Sequence, residues 1–316
     1  MNENLYRMFD KVVQSEFSII EDGSKKTIKL GKDAEYGKME TYSLFDGIII
    51  AFMDICIDNI DNVFFEDKLS SRLLQINHCA KGRYSYAVGD DRIVYFGKGD
   101  LCVSIYDLTK TISDFPLGYY EGLEIFIDVD VANDHVKELI PGFDLIELYE
   151  NLEKSKGYRL VRANEKIDHV IGELYCVDER IKEPYFRLKC LELLLFVSIA
   201  YESKTESISL SKKHVDMVEH VRDDLIEDLE SRITIDELAK RYGVSKTTLK
   251  NCFKEVYGKP IFKWRKEYRL DLACRLIEDG DLTISEISRK VGYSSPSKFG
   301  QAFREHVGCT PSEYMK

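Results

Sequence analysis

Lys246, Thr247, Lys250 and Asn251 fall within one short stretch, and each carries a group that can read the edge of a base. A lysine ammonium donates to guanine O6 and N7, an asparagine amide pairs bidentately with adenine, and a threonine methyl meets that of thymine. Fifty residues on, Pro296, Ser297, Lys298, Gly300 and Gln301 occupy the matching stretch. Pro296 and Gly300 offer little to read, so this second set is expected to discriminate less. Around both sets stand Ser245, Lys254, Arg289, Lys290, Ser294 and Arg304. Their hydroxyls and cations suit phosphate oxygens, contacts that position a protein on a duplex without specifying sequence.

These residues need elements to present them, and the sequence supplies the same elements twice. Thr234 with Glu237, and Thr283 with Glu286, have the spacing of capping boxes that open a helix. Leu238 with Tyr242, and Ile287 with Val291, place apolar groups four apart on one face. Ala239 and Ser288 are small where two helices must cross closely. Gly243 and Gly292, 49 apart, then allow the left-handed backbone that a tight turn between crossed helices needs. The next helix opens at Ser245 in the first copy. In the second copy Ser295 is the N-cap and Pro296 sits at the first helical position. Leu249/Phe299, Phe253/Phe303 and Gly258/Gly308 are each 50 apart, so the second turn carries one extra residue. Two helix-turn-helix units are expected, at 234–253 and 283–303, each with its second helix turned toward the major groove.

Between them, Phe262 to Asp279 reads as a charged helix with Phe262, Tyr268, Leu272, Ala273 and Leu276 on one side. A helix of that length rises about 27 Å. Successive major-groove faces on one side of B-DNA are about 34 Å apart, so such a helix can set two reading heads one turn apart.

The stretches Arg269-Leu-Asp-Leu-Ala-Cys-Arg-Leu-Ile-Glu, Ile284-Ser-Glu-Ile-Ser-Arg-Lys-Val-Gly-Tyr, Phe299-Gly-Gln-Ala-Phe-Arg and Gly308-Cys-Thr-Pro-Ser-Glu-Tyr resemble the ending of the AraC/XylS family of bacterial transcription regulators. The resemblance covers roughly the last hundred residues. It implies double-stranded promoter DNA and RNA polymerase as partners, the same DNA-facing positions, and a front domain that senses a small molecule and dimerises. The function expected is a ligand-responsive, sequence-specific activator. Two other readings stand beside it: a cupin-type metal enzyme with a DNA-binding tail, and an effector-independent regulator controlled by its abundance.

The net charge of −11 looks wrong for a DNA binder until it is divided. Residues 231–316 hold 17 of the 45 basic groups but only 11 of the 56 acidic ones, a net of +6. The remaining 28 basic and 45 acidic groups give residues 1–230 a net of −17. The basic excess sits where the repeat is, as phosphate binding requires. Eight cysteines without any Cys-x-x-Cys spacing read as reduced thiols. No apolar stretch follows a basic start, and the longest apolar run, Leu193 to Ala200, is too short to span a bilayer. A cytoplasmic protein is expected, with no membrane association.

The front of the chain reads as α+β. Met1 to about Val13 looks like an amphipathic helix or extended lead-in, and strands are expected over about 15–130. The clearest runs are Gly47–Ile57, Leu73–Cys79, Arg83–Val88, Arg92–Phe96, Leu101–Tyr106 and Glu124–Val129, parted by turns at Lys81-Gly82, Gly89-Asp90-Asp91 and Gly97-Lys98-Gly99-Asp100. Short antiparallel strands so spaced predict a barrel or a sandwich, and the last turn is similar to one in cupin-type sensor domains. Helices are expected over about 132–202, at Asp144–Leu152, Lys166–Cys176 and Tyr185–Tyr201. Residues 1–202 thus form an effector and dimerisation domain, 203–211 a linker and 212–316 an all-α DNA-binding domain opening on a helix from His214 to Glu230. In that helix Asp223, Asp224, Glu227 and Asp228 form a solvated face turned away from DNA. The helix from Tyr185 to Tyr201 carries more apolar surface than one core contact needs, which predicts a homodimer through it.

Phe52, Tyr84, Tyr86, Tyr95, Tyr119 and Tyr120 are the candidate effector contacts, since aromatic walls suit amphipathic ligands. The six histidines are dispersed, and His78 has no second strand histidine beside it, so no metal and no cofactor is expected. No nucleophile elbow, phosphate loop or paired Cys/His arrangement appears, and no enzymatic activity is expected.

Overall fold

The computed structural model describes residues 5, 17–31, 34–56, 72–88, 91–106, 113–200 and 209–315. The expected lead-in helix (apart from Leu5), the Gly89-Asp90 turn and 203–208 of the expected linker lie outside them. The chain divides into two compact units, Met1–Leu210 and Ser211–Lys316.

The front unit is α+β, with antiparallel strands β1 (Phe17–Asp22), β2 (Lys25–Leu30), β3 (Gly37–Phe45), β4 (Ile48–Cys56), β5 (Leu73–Val88), β6 (Arg92–Gly97), β7 (Leu101–Ile105), β8 (Ser113–Asp114), β9 (Tyr119–Asp128), β10 (Tyr158–Val161) and β11 (Ser209–Ser211). Pairing runs β1-β2-β3-β4-β9-β5-β6-β11, with β7 and β8 on β5 and β10 on β7. Among the described residues this path stays open, so the sheet does not close into a barrel. Its interior face nevertheless gathers one apolar cluster from distant strands, from Ile28 on β2 to Tyr158 on β10.

Two expected strands, Leu73–Cys79 and Arg83–Val88, are one. Lys81-Gly82 is not a hairpin turn, because both residues go on pairing with β9; the strand only bulges between Cys79 and Lys81. Gly82 has φ +82, and a Cβ there would lie 2.1 Å from the Tyr119 carbonyl oxygen. Beyond the bulge β5 changes partner from β7 to β6. The Gly97–Asp100 turn is held by the Asp100 carboxylate, which accepts from the Gly97 and Ala163 N–H groups at 3.0 and 2.9 Å and pairs with Arg162.

On the other face of the sheet lie α1 (Val129–Leu139), α2 (Leu145–Glu153), α3 (Glu165–Gly172), the 3-10 turns Glu173–Tyr175 and Glu179–Ile181, and α4 (Lys182–Ala200). Asp128, Asp144 and Asn164 cap the first three with side-chain oxygens. β10 interrupts the expected helical region, its Tyr158 and Leu160 buried. Residues 209–211, the end of the expected linker, form β11 beside β6. Leu210 is buried there, and Arg92 donates to the Ser209 hydroxyl and carbonyl.

The second unit is all-α: α5 (Lys212–Glu227), α6 (Ile235–Arg241), α7 (Lys246–Tyr257), α8 (Ile261–Asp279), α9 (Ile284–Lys290), α10 (Pro296–Val307) and α11 (Pro311–Tyr314). The connecting helix α8 does not bury the single stripe expected of it; Phe262 is 47% exposed. Its first half buries Ile261 and Trp264, the indole 5.6 Å from Phe253 of α7 and 5.2 Å from Tyr257. Its second half buries Leu270, Ala273 and Ile277 in a separate cluster with Ile287, Val291, Phe299 and Phe303. One helix thus closes two small cores on different sides of itself.

Candidate functional sites

The two recognition helices are built alike. Thr234 and Thr283 each accept from the backbone N–H three residues on, and Glu237 and Glu286 reach back, so both capping boxes are complete. The turns pass through Gly243 at φ +66 and Gly292 at φ +78. Ser245 caps α7 and Ser295 caps α10, with Pro296 in its first turn. Both helices end on a left-handed glycine, Gly258 and Gly308.

With Leu249, Phe253, Phe299 and Phe303 turned into the cores, the opposite faces are open. Lys246, Thr247, Lys250 and Asn251 are all exposed on α7, as are Pro296, Ser297, Lys298 and Gln301 on α10. Ser245, Lys254, Arg289, Lys290, Ser294 and Arg304 are exposed around them. Each face therefore brings side-chain donors to the surface of a capped, core-anchored helix, the presentation that base-edge hydrogen bonding needs. Two of these side chains already have partners. Lys246 pairs with Asp236 at 2.9 Å, and Gln301 donates to Glu305 at 3.0 Å.

Two arginines that patterning did not single out hold the units to α8. Arg265 is buried and donates to the carbonyls of Ser231 and Asp228 at 2.9 and 2.5 Å, at the entry to α6. Arg269, one turn on, donates through Nε to the Val291 carbonyl at the second turn, its guanidinium 4.2 Å over the Tyr293 ring. Burial holds both guanidinium groups below their usual range. The available signal was two arginines at i and i+4 on the flank where the second core begins. A Cβ on Gly292 would lie 2.1 Å from the Leu229 carbonyl oxygen, so the second turn is packed against the segment leaving α5. Asp224, expected on a solvated face, instead accepts from Arg241 at 2.6 Å and from the Tyr242 hydroxyl at 2.7 Å. It braces α5 to α6, because Tyr242 ends α6 with its hydroxyl directed back at α5.

The front-unit aromatics do not form one wall. Tyr84, Tyr86 and Tyr120 lie in the interior cluster, where Tyr84 and Tyr120 pack with Phe115 at 5.3–5.6 Å. Tyr95 is buried and Tyr119 is exposed. Phe52 points to the opposite face, against Phe186 of α4 and Tyr175. The residues parted because successive positions on a strand face opposite ways, and Phe52 is out of phase with Ala51, which is interior.

Amid that interior is a polar group patterning missed. The Glu124 carboxylate is 2% exposed and accepts from Gln75 Nε2 at 2.7 Å and Asn77 Nδ2 at 2.8 Å. Asn77 Oδ1 in turn accepts from the Tyr120 hydroxyl at 2.7 Å. Burial raises the Glu124 carboxyl to about 7. His78, on the other face, lies 2.9 Å from the Tyr175 hydroxyl, and burial lowers its imidazole to about 4. Among the described residues no three His, Cys, Asp or Glu side chains could together hold a metal ion. No helix among them is long and apolar enough to cross a membrane.

Residues 238–316 match a family profile described as a helix-turn-helix domain. The virulence regulon transcriptional activator VirF of Yersinia enterocolitica is 37% identical over 79 residues, 25% of this chain and 29% of that protein. The probable transcription factor PqrA of Proteus vulgaris is 30% identical over 106 residues, 32% of this chain and 87% of PqrA. The Msm operon regulatory protein of Streptococcus mutans is 24% identical over 295 residues, 82% of this chain and 98% of that protein.

Proposed function

Because this chain belongs to the AraC/XylS family of bacterial transcription regulators, we propose that it activates transcription by reading two successive major grooves with α7 and α10. The observation that carries this is the paired construction itself: two capped helix-turn-helix units with open donor-bearing faces, both cored on one 19-residue helix. Such a helix rises about 28 Å, close to one turn of duplex. VirF, named a transcriptional activator, favours the same sense of regulation. RNA polymerase is then the second partner, the protein works in the cytoplasm, and no catalysis is assigned to it.

The front unit supplies control. Its aromatic interior around Tyr84, Tyr86 and Tyr120 supports binding of a small molecule, and α4 supports a homodimer. The inner side of α4 is buried through Phe186, Cys190, Leu193, Leu194 and Val197. That leaves Leu188, Leu195 and Ile199 outside at 67%, 44% and 71% exposure, with Leu191 between them. Positions 188, 191 and 195 have the four-and-three spacing of a helix-pairing seam.

Footprinting of the full chain on duplexes selected from a random pool tests the DNA reading. Two protected major grooves about one turn apart are expected; protection of one groove, or no selection at all, would sink it. A thermal-shift screen against a metabolite panel tests the control. A ligand at a hundred times its Kd adds about 2.7 kcal/mol, and silence across the panel favours a regulator set by abundance alone.

A further inference from the structure

We propose that α10 reads an A·T base pair, with Gln301 on the adenine edge, Glu305 and Lys266 holding its amide in register, and Gly300 letting the helix seat closely in the groove. The inference rests on the DNA-binding reading above and gives the second unit a definite preference.

Gly300 lies in the middle of α10, where glycine is a poor helix former. Nothing among the described residues explains it. Its backbone is not left-handed, and a Cβ added there would meet no atom within 4 Å. Its counterpart in the first copy is Lys250, one of the longest side chains on the α7 face. Ser297 and Arg304, three before and four after, are exposed and Gly300 itself is half-buried, so Gly300 lies on the flank of the outward face. A glycine on an open helix face with no internal contact to spare serves a close approach by something outside the chain. On a recognition helix, that something is the duplex.

The next residue is the one polar reader held by two neighbours in series. Gln301 Nε2 donates to Glu305 Oε1 at 3.0 Å, and Lys266 Nζ of α8 donates to Glu305 Oε2 at 3.2 Å. A carboxylate accepts only from the N–H end of an amide, so Glu305 fixes which way the Gln301 amide faces. One amide hydrogen is used. With the hydrogen anti to Oε1 given to Glu305, the other hydrogen and Oε1 remain as the adjacent donor and acceptor that adenine N7 and N6 require. Guanine presents two acceptors on that edge and would set O6 against Oε1. A freely turning glutamine would lose this distinction. Lys266 holds the carboxylate ionised and in place, and Glu305 sits below the usual carboxylate range through its bonds to Lys266 and Gln301.

Selection from a random duplex pool with the full chain, followed by binding titrations on the selected duplex, decides it. Wild type should enrich two boxes, and the box under α10 is the one whose preference Gln301→Ala erases. In it, changing A·T to G·C should weaken wild-type binding about tenfold. Glu305→Ala should shrink that penalty to about twofold while leaving the other box untouched. The double variant should be no worse than Gln301→Ala alone, because Glu305 acts through Gln301. Gly300→Ala should raise the thermal midpoint and still weaken binding about tenfold, a combination that a merely structural glycine cannot give. A G·C preference under α10, an A·T penalty unchanged by Glu305→Ala, or wild-type binding by Gly300→Ala would each overturn the inference. If wild type enriches no second box, the two-groove reading itself fails.

Discussion

Replacing Glu124 by Gln should stabilise the front unit at alkaline pH and not at acid pH. The carboxyl of Glu124 titrates near 7 in the folded chain against 4.5 when unfolded, because burial disfavours its charge. A folded-state value above the unfolded one means that the folded protein takes up the proton first as pH falls. Above about pH 7 the ionised, buried group therefore weighs against folding. A difference of roughly 2.5 pH units corresponds to about 3 kcal/mol, present in full above 7 and gone below about 4.5. Glutamine removes the charge but leaves an amide nitrogen facing either the Gln75 or the Asn77 amide, and reorienting one of them costs about 1 kcal/mol. Glu124→Gln should thus gain about 2 kcal/mol at pH 8 and lose about 1 kcal/mol at pH 5. For a unit of this size the gain is about 4–8 °C in Tm. Calorimetry and near-ultraviolet dichroism, which see the front-unit tyrosines, measure it. The chain's one tryptophan, Trp264, lies in the second unit, so its emission transition serves as an internal control that should not move. A variant equally destabilised at both pH values would refute the reasoning, since the carboxylate would then be matched by a charge partner and not strained by burial.

Asn251→Ala should cost about 1–3 kcal/mol in binding to a selected duplex and relax preference only under α7, read by titration on single-base variants. If Arg304 meets a phosphate as proposed, Arg304→Ala should weaken all duplexes alike and lower the slope of log affinity against log salt by about one unit. Gly292→Ala should destabilise the second unit by about 3 kcal/mol, because a left-handed backbone and a carbonyl at 2.1 Å both oppose it. Gly243→Ala meets open space and should cost about 1 kcal/mol, with Trp264 emission in urea measuring both. Leu188→Glu with Ile199→Glu should convert a sedimenting dimer to monomer and abolish any rise of Tm with protein concentration; an unchanged dimer would place the interface elsewhere.

What was legible in the sequence was what local chemistry dictates. The capping boxes at Thr234 and Thr283 and the glycines at the turns are short-range signals, and the helices start and stop where those residues say. The interior was less legible, because strand alternation shows which residues alternate but not which face looks inward, and Phe52 was grouped with tyrosines it does not meet. β10 is four residues between helices, too short for a period to emerge. Glu124 opened an expected strand, with nothing beside it in the sequence to mark it as buried. Only its neighbours Gln75 and Asn77, brought together by β5 pairing with β9, make it a buried one. Arg265 and Arg269 escaped for the same reason: their acceptors are backbone carbonyls, which carry no mark in a sequence.

Those arginines bear on why the repeat works as one body. Each helix-turn-helix copy, 234–253 and 283–303, is too short for a core of its own to be stable. Here neither core is alone, since α8 contributes Trp264 to one and Leu270, Ala273 and Ile277 to the other. Arg265 ties the same helix to the entry of the first unit, and Arg269 ties it to the turn of the second. Removing either arginine leaves backbone carbonyls without their donor and frees one turn from the shared axis. Both units are thus tied to α8 by side chains a single turn apart, and mismatches under α7 and α10 should be felt as separate, additive penalties.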